Sequence, residues 1–158
     1  MSRSAVVVMC VLLLLAAPLT AAGVKTSATF ALSVPGMIAA TFHSCEGLGS
    51  ESAVIEYRDG STGETRKLPG STKWSDITLK RGVSADGSLA AWRKLVEDGD
   101  AAGARKGGSI ILYDHEGKQI ARFTFTDAWP RKISIDSDPE TGLPIETLVL
   151  TVESTARQ

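Results

Sequence analysis

Histidine and cysteine are scarce in this chain: its 158 residues include two of each. Cys10 lies inside an N-terminal apolar run, so Cys45 is the one cysteine of the remaining chain. A lone cysteine cannot close an internal disulfide, and the fold does not rest on one. His43, Cys45 and His115 fall one short of the four ligands of a structural zinc site unless carboxylates join them. A basic excess is also missing, with 17 Lys and Arg against 18 Asp and Glu. That balance excludes a general nucleic-acid binder, which needs a basic stripe to release counterions. No block of like charge exceeds a few residues, so no charged tail is expected.

Catalytic patterns are missing as well. Ser, His and Asp occur, but no Gly-x-Ser-x-Gly elbow does, and Asp114-His115 sits where a hairpin turn is expected. Gly103 to Gly108 carries Arg105 and Lys106 but not the Gly-Lys-Ser/Thr ending of a phosphate loop. Gly47-x-Gly49 lacks the third glycine and the following helix of a dinucleotide fingerprint. Asp136-x-Asp138-x-Glu140 with Gly142 resembles part of a calcium loop, yet Thr147 stands where the glutamate is required. No enzyme activity, cofactor or metal is therefore expected.

The long apolar run is confined to the start. Arg3 is a short basic lead, Ala5 to Leu15 is unbroken and apolar, Pro18 breaks it, and Thr20-Ala21-Ala22 supplies small residues. This is the layout of a secretory signal peptide cleaved after Ala22. A bilayer core needs about 20 apolar residues, more than this run has. Residues 1–22 are read as a leader and 23–158 as one domain, since about 136 residues make one compact core. Without Arg3 the mature charge is near −2.

What the mature chain has in quantity is period-two alternation. Phe30, Leu32 and Val34 alternate with smaller residues, Pro35-Gly36 turns the chain, and Ile38, Ala40 and Phe42 alternate again. Successive side chains of a strand point to opposite faces, so each run can bury one face. These runs predict a hairpin, Thr29 to Val34 with Ile38 to Cys45. Further strands are predicted at Ala53 to Arg58, Ser75 to Lys80, Ser109 to Asp114, Gln119 to Asp127, Lys132 to Ile135 and Ile145 to Glu153. A corner is expected at Trp129-Pro130 and an acidic loop over Asp136 to Pro144. Leu89, Trp92, Leu95 and Val96 form one apolar stripe at helical spacing, with Ser84 or Asp86 as cap and Asp98-Gly99 as stop. Gly60 to Trp74 reads as a long polar loop, uncommon unless it has a job. The fold class is mainly β: an antiparallel barrel or sandwich of about eight short strands flanked by one short helix.

One ordered set of residues carries more than the patterns do. It runs from Phe42 to Leu48, through Ile55-Glu56-Tyr57-Arg58-x-Gly60, Lys67-Leu68-Pro69-Gly70 and Ile77-Thr78-Leu79-Lys80-Arg81-Gly82. It continues through Trp92, Gly108-x-Ile110-x-Leu112-x-Asp114 with Gly117, and Phe125-x-Asp127-Ala128-Trp129-Pro130, and closes on Ile145-Glu146-Thr147-Leu148. This series resembles the T-even-phage tail tube family, which includes inner tubes of contractile injection particles and, more distantly, Hcp-type rings. The resemblance spans about Phe30 to Glu153. The segment between Trp129 and Glu146 is shorter and more acidic than the family's.

The resemblance implies a structural subunit, six copies of which join edge to edge into a ring, with rings stacking into a hollow tube. Exposed strand edges, a hazard in most proteins, are then the means of assembly. Gly60 to Trp74 becomes an interaction arm that orders against its neighbours. Arg66, Lys67, Leu68, Pro69, Gly70, Lys73 and Trp74 are the expected interface residues, Arg66, Lys67, Lys73 and Glu64 serving ion pairs between subunits. Trp92 and Trp129 are expected in the core, because aromatics carry large buried area, and Trp74 at the interface. The implied partners are copies of the chain, with sheath, baseplate or spike proteins. The family resemblance implies cytoplasmic assembly, whereas the leader implies a secreted or periplasmic location. An exported binding module that uses the same fold without forming a tube is the alternative.

Overall fold

The computed structural model describes residues 28–158, and the leader expected over 1–22 lies outside them. Alternation builds most of the body. β1 (Thr29–Val34) and β2 (Ile38–Phe42) form the expected antiparallel hairpin, Phe30 opposite Phe42 and Val34 opposite Ile38. β1 also pairs with β7 (Lys106–Tyr113), and β7 with the front half of β8 (Gln119–Ser137). β10 (Ser154–Arg157) lies on the other flank of that half. The back half of β8 pairs with β9 (Pro144–Thr151), β9 with β6 (Ile77–Gly82), and β6 with β3 (Ser44–Glu46).

β8 therefore belongs to two layers. On the opposite side only His43 separates β2 from β3, and its amide donates to the Lys80 carbonyl at 3.0 Å. The chain steps there from the edge of one layer to the edge of the other. The two layers face each other as a β-sandwich-like fold and do not close into a barrel. Leu32, Val34, Ile38, Phe42, Ile110 and Phe125 of one layer meet Ile77, Leu79, Leu148 and Leu150 of the other, all buried.

The apolar stripe forms α1 (Ser88–Glu97), which lies on β8 and buries Leu89 and Trp92 completely. A helix of three turns is marginal alone and takes its stability from that docking. Trp92 Nε1 donates to the Ala104 carbonyl at 2.7 Å, at the end of the short α2 (Ala101–Ala104), so the buried indole has a partner. Arg93 donates to the Pro130 carbonyl at 2.9 Å. The cap differs from expectation: Gly87 takes the N-cap position without a side-chain bond. Asp86 instead accepts from the amide and hydroxyl of Ser88, at 3.0 and 2.7 Å.

Two further differences have physical reasons. The corner expected at Trp129-Pro130 is the middle of one 19-residue strand, β8. Its register with β9 shifts between Pro130 and Lys132; at such a bulge a residue without an amide donor fits. Gly60 to Trp74, expected as a loop, is largely a strand, β5 (Thr65–Trp74), paired with β4 (Ser50–Arg58) in a sheet of their own.

One charge enters the core. Ile77, Leu79 and Arg81 alternate inward along β6, and Arg81 is 7% exposed. Its Nε donates to Glu146 at 2.7 Å, directly across the β6–β9 ladder, and its guanidinium lies 5.5 Å from the centre of the Phe42 ring.

Candidate assembly interface

The expected interface residues all lie on β5, one leg of a hairpin that projects from the body. Its root is fixed. Gly47 has φ 87° and stands so close to the Asp76 carbonyl that no Cβ fits there. The Ser75 amide donates to the Gly49 carbonyl at 3.0 Å, and Arg131 pairs with Asp76. Trp74, half-buried at this root, packs against the core. Lys73 stands beside it, opposite Glu51. Beyond the root the hairpin packs on itself and makes no substantial contact with other elements.

The register explains the Leu68-Pro69-Gly70 sequence. It shifts between Ser52 and Val54, where two residues of β5, Gly70 and Ser71, stand opposite the single Ala53 of β4. Gly70 belongs to this bulge, and a Cβ there would come within 3.1 Å of both the Ala53 carbonyl and Ile55 Cγ1. Pro69, opposite Val54, suits a ribbon in which both strands are edges. At the tip Asp59 accepts from the Ser61 hydroxyl at 2.6 Å and its amide at 2.9 Å. These bonds hold the Asp59 carboxyl below its ordinary range.

The hairpin has two unlike faces, because paired residues share a face. One carries Ile55 opposite Leu68 and Tyr57 opposite Arg66, and runs down past Ala53 to Glu51 opposite Lys73. The other carries Glu56 opposite Lys67, an ion pair at 3.4 Å, with Val54 beside it. Val54, Ile55 and Leu68 are 62%, 52% and 50% exposed. Large apolar side chains this open, gathered on one ribbon with two unpaired edges, make it the candidate contact surface. Val54, Ile55 and Tyr57 were missing from the expected interface; the signal for them was an apolar pair, Val54-Ile55, that no single buried face of a strand can hide.

Elsewhere the described residues offer little for chemistry. No group of three or more His, Cys, Asp or Glu is placed to hold a metal ion. Burial, with Glu46 alongside, pushes the Cys45 thiol up to about 12, so it stays protonated and a poor ligand at neutral pH. A mostly apolar cleft of about 240 Å³ lies between α1, α2 and β8, with the half-buried Trp129 on its wall. No described helix is long and apolar enough to cross a membrane.

This body with its projecting ribbon has counterparts. The model of the family described as T4-like virus tail tube protein gp19 matches residues 26–155. The chain belongs to that family. A chain of the extracellular contractile injection system PVC sheath–tube complex in its extended state superimposes with a TM-score of 0.63 and 24% identity, over 82% of this chain and 87% of that one. A chain of the anti-feeding prophage (AFP) baseplate gives 0.66 at 17% identity, covering 85% and 94%. Hcp1 from Salmonella typhimurium gives 0.53 at 12% identity, covering 83% and 85%. At these identities the likeness establishes a shared fold. No curated protein sequence gives a match.

Proposed function

We propose that this protein is the repeating unit of an inner tube, joining copies of itself into six-membered rings that stack, within a contractile injection particle. The observation that carries this reading is the ribbon Ser50–Trp74, with exposed Val54, Ile55 and Leu68 and two unpaired outer edges, on a body of the tail tube family. Such an edge adds strands from another chain through main-chain hydrogen bonds, while its side chains select the partner. A contact between unlike surfaces closes by rotation into a ring, and one that does not close gives a filament. Six-fold order is supported by the related AFP baseplate, symmetrised six-fold, and sheath contact by the related PVC sheath–tube complex. The reading assigns the protein no reaction. Negative-stain microscopy of the purified protein at high concentration tests it. Rings and tubes are expected; a strictly monomeric particle, also in the presence of sheath and baseplate proteins, overturns it.

The apolar start of the sequence favours a second reading, an exported subunit or binding module. Its test is the N-terminal residue of the protein recovered from cells. Gly23 in an extracytoplasmic fraction supports export, and an intact Met1 on cytoplasmic protein rejects it.

A further inference from the structure

The sandwich leaves one apolar surface open at the end remote from the ribbon. β6 runs from Ile77, beside the ribbon's root, to Gly82, and the second layer extends past its core there. Arg81, Glu146 and Ile135 share one rung across β6, β9 and β8, and Pro144 stands opposite Ser137. The Val83 amide donates to the Pro144 carbonyl at 3.4 Å, which continues that face. Val83, Ile135 and Leu143 are 46%, 62% and 64% exposed, although Ile135 lies on the side of the sheet that faces the core two residues earlier, at Ile133. Apolar side chains of this size, gathered and open to water, gain from a cover, and none is supplied among the described residues.

The described chain begins beside this surface. Thr29 opens β1 and, with Phe42, His43, Arg81, Gly82 and Ser84, lines a cleft of about 360 Å³. Gly82 and Ser84 flank Val83 in the chain. Ile135 stands two strand spacings from Arg81, about 10 Å. Upstream of Thr29 lies the apolar run of residues 5–15, joined to it by residues 16–28. Fully extended, that joint reaches about 40 Å, so the run can return to the surface from which the chain departs. Charge favours this surface over the exposed apolar side chains of the ribbon. Residues 1–28 carry Arg3 and Lys25 and no acid, whereas from Asp136 to Glu146 the chain has four acids and no base. β5, on the ribbon, has Arg66, Lys67 and Lys73 and no acid, so its charge has the same sign as that of residues 1–28. In the acidic loop the Glu140 amide, then the Thr141 hydroxyl, hold the Asp138 carboxyl below its ordinary range, with His43 of the cleft as a further cause. Among the described residues, Asp136 and Glu140 have no ion-pair partner.

We propose that in the uncut chain the apolar run of residues 5–15 folds back over the surface of Val83, Ile135 and Leu143 on its own body, with Lys25 against the acidic loop. The run is then an intramolecular cover. A short joint holds it near its site at a high effective concentration, which a second copy in dilute solution does not match. A cut after Ala22 removes the cover, leaves Lys25 in place and bares the surface. The order of events follows: the uncut chain keeps this end of the sandwich from other partners, and processing opens it to them.

Two experiments on the full chain test this. Cys10 lies inside the run and is a native probe, while the Cys45 thiol, pushed up to about 12 by burial, competes little for it. In the first experiment Ile135→Cys is oxidised, beside Leu68→Cys on the ribbon, each as an equal mixture of isotopically light and heavy protein. The expected result is a disulfide from Cys10 to the thiol introduced at position 135, joining light to light and heavy to heavy, and no such link to position 68. Links of mixed mass assign the cover to a second copy and overturn the proposal, as does the absence of any link. In the second, hydrogen exchange compares the full chain, the protein lacking residues 1–22, and the full chain carrying Leu12→Asp with Leu13→Asp. Faster exchange at Val83 and over residues 135–143 is expected in both altered proteins, with the rest of the body unchanged. Equal exchange in all three overturns the proposal, and this reading stands even where Ile135→Cys fails to fold.

Discussion

β6 and β5 are neighbours in sequence and opposites in use. β6 turns Ile77, Leu79 and Arg81 into the core, each below 10% exposure, and lies between two partner strands. β5 is four residues longer but buries none of its side chains fully and has one partner. The body is stabilised by burial, about 1.5 to 3 kcal/mol for each large apolar side chain. The ribbon depends on its own ladder and a few polar links, such as Ser52 to Thr72 at 2.8 Å, and an isolated two-stranded hairpin is marginal in water. On the proposed tube reading, stability and assembly are divided between two parts of one chain, and substitutions should separate them.

Trp92→Ala is the severest expected change. It empties the site of the largest fully buried side chain and orphans the Ala104 carbonyl, and is expected to cost about 4 kcal/mol in chemical denaturation. Glu146→Ala removes the short ion pair of the buried Arg81, leaving it only the longer contact with Asp86 at 3.9 Å, and should cost about 3 kcal/mol. If either loss proves negligible, the described core is wrong. Raising pH should weaken the body through Cys45. A thiol raised from 9.0 to about 12 contributes its full stability below pH 9 and loses it as pH climbs toward 12. The matching measurement is a thiol reagent at pH 8, to which folded protein should be inert and unfolded protein reactive.

Changes in the ribbon should be smaller and local. Gly70→Ala pushes a methyl against the Ala53 carbonyl and Ile55, for a cost of about 1 kcal/mol. Hydrogen exchange should show faster opening of β4 and β5 with the body unchanged; equal acceleration in both would mean that the two parts unfold as one. Leu68→Asp should alter monomer stability by no more than about 0.5 kcal/mol, as exposed positions do, yet abolish assembly seen by light scattering. An assembling Leu68→Asp protein would remove the ribbon from the interface.

The same division decided what was readable beforehand. Strands with one buried face announce themselves: Leu32 and Val34, or Leu148 and Leu150, recur every second residue because the core requires it. β5 gave no such signal, since Arg66-Lys67-Leu68-Pro69-Gly70 covers no core and need not alternate. It was expected as a loop for that reason, although Lys67 to Gly70 was already marked as a contact. β8 read as two strands because Pro130 looks like a stop, and the bulge that accommodates it is set by β9, far along the chain. β10 is four residues long and follows β9 after a short break, too brief for a periodic signal.

The anchored root of the ribbon bears on how quickly copies could join. Gly47 locked against Asp76, the Ser75–Gly49 bond and Trp74 wedged into the body fix the direction of departure before any encounter. A partner then meets a shape already in place, and little conformational freedom remains to be surrendered on contact. Growth should be limited by collision and orientation, with no slow folding step delaying each addition.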